Sequence, residues 1–169
     1  MSLKTVLIIV IALSLNACQK AKTTTETEVP QISQQDQRTA FLNVLNKHLT
    51  AIPTKDLETL KRTLTPNGNM QLILPQTEPT NTNTDFLNYH KAWFEADLEW
   101  DFITTIRNIQ VGERLGMAIV DVVYTEPLRD GNPYFNHMIV SYDLQKIDGQ
   151  WYFIKDHASS IQKSTDLKN

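Results

Sequence analysis

The hydrophobic period of the chain changes once, near Leu98, and this change limits the possible folds more than any other feature. Before it, apolar residues recur at helical spacing, as at Phe41, Leu45 and Leu49. After it come strand-like segments at residues 100–107, 117–124, 134–144 and 150–157, joined by short turns, the last of them an Asp-Gly pair typical of a hairpin. Helices followed by an antiparallel meander predict an α+β domain, in which a strongly curved sheet wraps around the N-terminal helices and leaves a pocket.

Three helices and a brief strand are predicted before the change of period. The first helix ends at Pro53, because proline disfavours a helical residue before it. Thr54 is predicted to cap the second helix, and Thr84 or Asp85 the third. Residues 70–74 form the predicted strand.

The N-terminal segment has the features of an export signal. An apolar run from Val6 to Leu13 follows Lys4 and is about half the ~20 residues that a helix needs to cross a bilayer. The run leads into Leu15–Cys18, which resembles the lipobox of bacterial lipoproteins: an aliphatic residue at position −3, a small residue at −1 and then cysteine. The resemblance implies that residues 1–17 are a signal peptide and that Cys18 becomes the lipid-modified, palmitate-type anchor of a mature chain. The alternative is an ordinary signal peptide with a chance cysteine near the cut.

The residues after the cysteine bear on location and on the tether. By resemblance, Gln19 rather than aspartate favours the outer membrane, on its periplasmic face, if the organism has two membranes. Residues 18–38 are polar and too poor in apolar side chains to offset their ordering entropy, so they are predicted to be a flexible tether, with a partner-binding tail as the alternative. Residues 39–162 are then the folded domain and residues 163–169 a short tail.

The folded region resembles a known superfamily. Residues 148–159 form a Gly-x-Trp strand that closes on Asp156, His157 and a nearby serine. This stretch, with the order of the elements, resembles the nuclear transport factor 2-like (NTF2-like) superfamily, in particular its SnoaL-like and ketosteroid-isomerase-like branches. The resemblance implies a cone-shaped cystatin-like fold, and a homodimer formed through the open face of the sheet.

Two residues are candidates for catalysis. Asp121 interrupts an apolar strand, and some catalytic members of the superfamily place an acid in the cavity as a proton-transferring base. The alternative is a structural Asp121, bonded to Arg or Tyr or pointing out from the sheet. His157 could act as acid or base near neutral pH, or could anchor the end of the sheet. Asp156 is adjacent and therefore faces the opposite side of the strand.

Three aromatic residues are candidates for ligand binding, namely Tyr89, Trp93 and Tyr142. Large aromatic side chains line many apolar ligand sites, but they also supply most of the burial energy of an ordinary core. Both interpretations are compatible with the sequence.

Several classes of site are not predicted. The histidines at positions 48, 90, 137 and 157 lack metal-ligand spacing, so no metal site is predicted. The single cysteine cannot form a disulfide within the chain. No glycine-rich phosphate loop occurs, and no cofactor is predicted. The net charge of −3, without a Lys/Arg cluster in the folded region, argues against nucleic-acid binding.

Three functions remain open. The first is an envelope lipoprotein that binds a small apolar ligand or an envelope partner. The second is an isomerase, dehydratase or cyclase that uses Asp121 or His157 for proton transfer. The third is a dimerisation or structural module without a ligand.

Overall fold

The computed structural model describes residues 33–167, which form three α-helices and one five-stranded sheet. The helices are α1 (Gln34–Ala51), α2 (Leu57–Thr63) and α3 (Asn83–Glu95). The strands are β1 (Gln71–Ile73), β2 (Asp101–Val111), β3 (Leu115–Arg129), β4 (Asn132–Ile147) and β5 (Gln150–Lys163), followed by a 3₁₀ turn at Ser164–Leu167. The predicted α+β class is confirmed.

The sheet has the order β1-β5-β4-β3-β2. Strands β2 to β5 pair antiparallel in sequence order, as the meander predicts, while β1 pairs parallel with β5. Two-residue turns at Asp130-Gly131 and Asp148-Gly149 join β3 to β4 and β4 to β5, with positive φ at all four residues. Asp-Gly suits this turn because both central residues must adopt the left-handed region.

Helix α1 begins earlier than its hydrophobic pattern indicates. Ser33 caps it by accepting the backbone N–H of Asp36, so the helix starts at Gln34, inside the segment 18–38 that was predicted to be a tether. Polar residues fill its first turns, and its buried face begins only at Phe41. A search for apolar periodicity therefore misses this end of the helix.

The other two helices use different caps from those predicted. Asp56 caps α2 through its carboxylate, and Thr54 instead donates its hydroxyl to a carbonyl of the last turn of α1. Thr82 caps α3, whereas Thr84 and Asp85 lie in its first turn. In each helix the capping side chain accepts a backbone N–H that has no partner within the helix.

The core fills the space between the helices and the concave face of the sheet. Phe41 of α1 and Phe86 of α3 are fully buried against strand residues such as Val120, Val122 and Phe153. In β3 the inward residues are even-numbered, which leaves the odd-numbered ones on the outer face. This parity decides which polar side chains can reach the interior.

A β-bulge at Ile154 reverses the parity of β5. Leu144 pairs with Phe153 and Asp143 pairs with Lys155, which leaves Ile154 without a partner on β4. Before the bulge the odd-numbered Phe153 is buried, and after it the even-numbered Asp156 is buried. The bulge therefore turns Asp156 toward the interior.

None of the helices within residues 33–167 is long and apolar enough to span a bilayer. The predicted signal peptide, and with it the Leu15–Cys18 motif, lies outside the described residues.

Candidate functional site

A cavity of about 410 Å³ lies between α3, the segment after β1 and the concave face of the sheet. Its size is within the range of ordinary small-molecule sites. Its aromatic lining residues are Tyr89, Trp93, Phe102, Tyr124, Tyr134 and Tyr142. Aliphatic side chains such as Leu72, Met138 and Val140 complete the apolar wall. The polar and charged side chains are few: Thr77, His90, Glu126, Arg129, Asn136, Asp156 and Lys163.

Trp93 is the centre of the aromatic wall. Its ring stacks on Trp100 with centroids 4.6 Å apart and meets Phe102 and Tyr124 edge-on at 5.7 Å. These contacts join α3 to β2 and β3, so the ring is held from several sides. A wall fixed in this way can offer a flat apolar surface to a ligand at little cost in conformational entropy.

Asp156 is one of two acidic residues that line the cavity, the other being Glu126. It is 6 % exposed, and its Oδ1 has no hydrogen-bond partner among residues 33–167. Burial raises the pKa of this carboxyl to about 7, because a carboxylate loses its hydration there. The group therefore exchanges its proton near neutral pH, as a general acid or base requires.

Two phenols share this end of the cavity with Asp156. Tyr142 lies opposite Asp156 across the β4–β5 pair, and Tyr89 lines the same cavity from α3. Burial raises the pKa of both phenols, and the negative field of the Asp156 carboxylate adds to the increase. Both tyrosines therefore remain neutral and can donate hydrogen bonds.

His90 contributes a neutral imidazole. Its Nδ1 lies 2.9 Å from the Phe86 carbonyl oxygen, which can only accept, so Nδ1 carries the hydrogen and Nε2 has the lone pair. Burial lowers the pKa of His90 to about 4. At neutral pH the ring is thus an uncharged acceptor on a largely apolar wall.

A second polar group occupies the other end of the cavity. The Glu126 carboxylate is buried and accepts from the Arg129 guanidinium, with Nε at 2.7 Å from Oε2, and from the Tyr124 hydroxyl. Arg129 is the main reason that the pKa of Glu126 lies below its ordinary value. The same guanidinium lies 3.5 Å from the centre of the Tyr134 ring, a cation–π contact. Burial, assisted by Glu126, raises the pKa of Tyr124 to about 12.

A sequence profile of the SnoaL-like domain matches residues 41–163, which is most of the chain. The chain belongs to the SnoaL-like family. No curated protein sequence gives a significant match.

Solved structures show the same fold at low sequence identity. A protein described as a dehydratase of the NTF2-like family from Streptomyces avermitilis superposes with a TM-score of 0.65 at 15% identity, covering 76% of this chain and 99% of that one. A protein with a cystatin-like fold from Caulobacter vibrioides gives 0.62 at 16% identity, over 75% and 91%. The association domain of C. elegans CaMKII gives 0.56 at 21% identity, over 74% and 96%. The predicted NTF2-like fold is confirmed.

The SnoaL-like domain places Asp121 away from the cavity. Its odd position puts it on the outer face of β3, since Val120 and Val122 fill the interior. There the carboxylate pairs with the Arg107 guanidinium and lies 3.2 Å from Nε2 of His137. The hydrogen bond from Arg107 is the main cause of its lowered pKa. Asp121 is therefore not among the residues that line the cavity, whose acidic side chains are Glu126 and Asp156.

His157 likewise lies outside the cavity of the SnoaL-like domain. Its side chain is exposed, and the Ile154 bulge turns its neighbour Asp156 inward instead. The prediction that the two residues face opposite sides is correct, but the inward residue is the acid. The buried residues of β5 change from odd-numbered positions, Trp151 and Phe153, to an even-numbered one, Ala158. Such a change within one strand indicates one extra residue, which is the bulge.

The three residues predicted to bind ligand, Tyr89, Trp93 and Tyr142, all line the cavity of the SnoaL-like domain. Ligand binding itself stays a prediction. Within residues 33–167 no group of three or more His, Cys, Asp or Glu side chains is arranged to hold a metal ion.

Proposed function

We propose that the chain is a membrane-anchored envelope lipoprotein whose SnoaL-like domain binds a small, mainly apolar ligand. The cavity carries this proposal: about 410 Å³, walled by aromatic and aliphatic side chains with a few convergent polar groups. A ligand with one hydrogen-bond donor suits it best, because Oδ1 of Asp156 has no partner within the described chain and Nε2 of His90 is an acceptor.

A neutral apolar dye, N-phenylnaphthylamine, tests the binding. We expect saturable fluorescence enhancement with the wild-type domain and its loss in Ala158→Phe, which fills the cavity from β5. Ser159→Phe is the matched control, because it adds the same ring at the neighbouring position on the outer face. Equal dye binding by both variants, each folded by circular dichroism, would contradict a cavity site. Absence of binding by the wild type would favour a structural module without a ligand.

The anchoring is proposed from the sequence alone. The Leu15–Cys18 motif follows an apolar run of signal-peptide length, and more than one acyl chain is needed to hold a protein stably on a bilayer. In an organism with two membranes, Gln19 favours the periplasmic face of the outer membrane. Intact mass of the chain from its native host should show an acylated N-terminal Cys18, and Cys18→Ser should move the protein out of the membrane fraction. An unmodified N-terminus would refute the anchor.

A second candidate function is proton-transfer catalysis of the isomerase, dehydratase or cyclase type. The observation that favours it is Asp156, a buried carboxyl with a pKa near 7, flanked by the phenols of Tyr89 and Tyr142. The fold is shared with a protein described as a dehydratase of the NTF2-like family. Wild-type protein should then exchange α-hydrogens of cyclic ketones with deuterium from solvent, and Asp156→Asn should abolish the exchange while Asp121→Asn leaves it unchanged. No exchange with any ketone would remove this candidate.

We further infer a homodimer through the outer face of the sheet. The face carries exposed apolar residues such as Ile103, which is 61 % exposed, and the fold is shared with the association domain of CaMKII. Analytical ultracentrifugation should give twice the chain mass, and Ile103→Asp should return the protein to one chain mass. A monomeric wild type at high concentration would exclude the dimer.

A further inference from the structure

The cavity has two ends of different charge. At one end lies Asp156, opposite Tyr142 on β4. At the other end Asn136 on β4 pairs with Lys163 on β5. Tyr142 and Asn136 are six positions apart on one strand, which corresponds to about 20 Å measured along it.

Arg129 supplies a fixed cation at the second end. Its Nε and Nη2 donate to the buried Glu126 carboxylate, and its plane covers the Tyr134 ring. No described residue accepts from Nη1, and the side chain is 40 % exposed, so this edge of the guanidinium fork is open to an incoming group. Such an edge matches the planar geometry of a carboxylate.

Lys163 makes this end of the cavity positive. Its side chain lines the cavity, and within residues 33–167 its ammonium forms no ion pair; Asp166 accepts from its backbone N–H instead. Glu126 already balances the charge of Arg129. The charge of Lys163 is therefore available to a ligand.

The wall between the two ends is apolar. Met138 and Val140 follow the inner face of β4 between Asn136 and Tyr142, and Trp93 of α3 lines the same cavity. A ligand that reaches both ends must therefore have an apolar body. A negative group on it avoids repulsion only at the end remote from Asp156.

From this arrangement we propose that the ligand is an organic anion, with an apolar body along Trp93 and Met138 and a terminal carboxylate-type group bound between Arg129 and Lys163. This inference rests on the proposed function, because it names the class of molecule that the same cavity takes. It assigns Arg129 and Lys163 as the residues that select for the anion.

Two dyes that differ only by an anionic group test the selection. Anilinonaphthalene sulfonate carries the aromatic body of N-phenylnaphthylamine plus one sulfonate. We expect the wild type to bind the sulfonate dye more tightly. Lys163→Gln should weaken the sulfonate dye by about fivefold, the size expected for one partly exposed charge contact, and should affect the neutral dye clearly less. Lys47→Gln on the exposed side of α1 removes the same charge elsewhere and should change neither affinity.

The outcomes separate this inference from the proposed function. If the neutral dye fails to bind the wild type, the cavity proposal itself fails. If the neutral dye binds but the sulfonate gives no advantage, or if Lys163→Gln weakens both dyes equally, the anion site is wrong and the apolar cavity stands. Should Lys163→Gln not fold, raised ionic strength replaces it: it should weaken only the sulfonate dye, and equal effects on both dyes would overturn the inference.

Discussion

Asp156 on β5 lies directly opposite Tyr142 on β4, and both side chains are buried at the same end of the cavity. Oδ1 of Asp156 has no hydrogen-bond partner among residues 33–167, and burial is the cause of the raised pKa of this carboxyl. The folded domain therefore keeps a proton on Asp156 over a pH range in which the unfolded chain has lost it. This difference links stability to pH.

Replacing Asp156 by Asn should stabilise the domain at pH 8. The unfolded carboxyl ionises near 3.8 and the folded one near 7, so the wild type loses stability as pH rises between these values. At about 1.36 kcal/mol per pKa unit, the wild type loses at most ~4 kcal/mol of its free energy of unfolding by pH 8. Asp156→Asn avoids this loss, because asparagine does not ionise. Urea denaturation at pH 4 and pH 8 measures the effect. The variant and the wild type should have similar stability at pH 4.

Asp121→Asn is the matched control, and its effect on the stability of the domain at pH 8 should have the opposite sign. Arg107 lowers the folded pKa of Asp121, so this carboxylate stabilises the domain above its unfolded pKa and stops doing so as pH falls through the folded pKa. The variant should lose stability at neutral pH and approach the wild type in acid. If both Asp→Asn variants respond in the same direction at pH 8, the assignment of Asp156 to the cavity is wrong.

His90 should destabilise the domain in mild acid. Its folded pKa of about 4 lies below the unfolded value of 6.5, so the unfolded state binds the proton first and stability falls as pH drops between these values. His90→Asn retains a donor for the Phe86 carbonyl and removes the titration. The wild type should lose up to ~3 kcal/mol relative to the variant between pH 7 and pH 4. A constant difference across this range would show that the ring is not held neutral.

The sequence predicts the order of elements well, because alternation and turn residues act locally. The hairpin turn at Asp148-Gly149 and the opposite faces of Asp156 and His157 follow from such local signals. The start of α1 at Gln34 does not, since that turn is polar and depends on the Ser33 cap.

The cavity residues are predicted only in part, for a physical reason. Tyr89, Trp93 and Tyr142 are predicted as ligand-binding candidates because they are large aromatic residues, and they line the cavity. Asp156 is not predicted as an inward-facing acid, because the packing of the whole sheet decides which alternate residues of a strand face inward. In β3 apolar residues occupy both parities, so the pattern could not show that Asp121 points outward, and in β5 the Ile154 bulge changes the parity within the strand.

Gly116 should not tolerate a methyl group. A Cβ at this position would lie 2.7 Å from Cε2 of Phe41, a fully buried ring that packs edge-on against Trp151. Gly116→Ala should therefore cost about 1–3 kcal/mol through overpacking, measured by thermal or urea unfolding. Phe41→Leu in the same chain should recover part of the loss, because it removes the atoms that clash.

Gly131→Ala is the control for this prediction. A Cβ at Gly131 would meet nothing within 4 Å, but φ is +82°, so its cost of about 1 kcal/mol is conformational and independent of Phe41. When Gly131→Ala is combined with Phe41→Leu, the two losses of stability should add. When Gly116→Ala is combined with Phe41→Leu, the total loss should be smaller than the sum. Additivity in both pairs would mean that the close approach to Phe41 is not what requires glycine.

The Glu126–Arg129 pair should matter more for stability than an ordinary surface ion pair. The Glu126 carboxylate is 2 % exposed, and its acceptors are satisfied by Arg129 and Tyr124. Arg129→Gln leaves this carboxylate buried beside a neutral amide, which should cost about 2–3 kcal/mol at neutral pH.

The pH dependence of that loss identifies its cause. In the wild type the pKa of Glu126 is lowered mainly by Arg129, so the pair stabilises the fold above the ordinary glutamate pKa of 4.5 and less as pH falls through the lowered value. In Arg129→Gln the carboxyl takes up a proton more readily, so the gap to the wild type should narrow in acid. The double variant Glu126→Gln/Arg129→Gln, which leaves no buried charge, should recover most of the stability at neutral pH. Urea unfolding of the four proteins across this pH range gives the coupling energy. If neither acid nor the second substitution reduces the stability loss of Arg129→Gln, then Arg129 stabilises the domain through its packing on Tyr134.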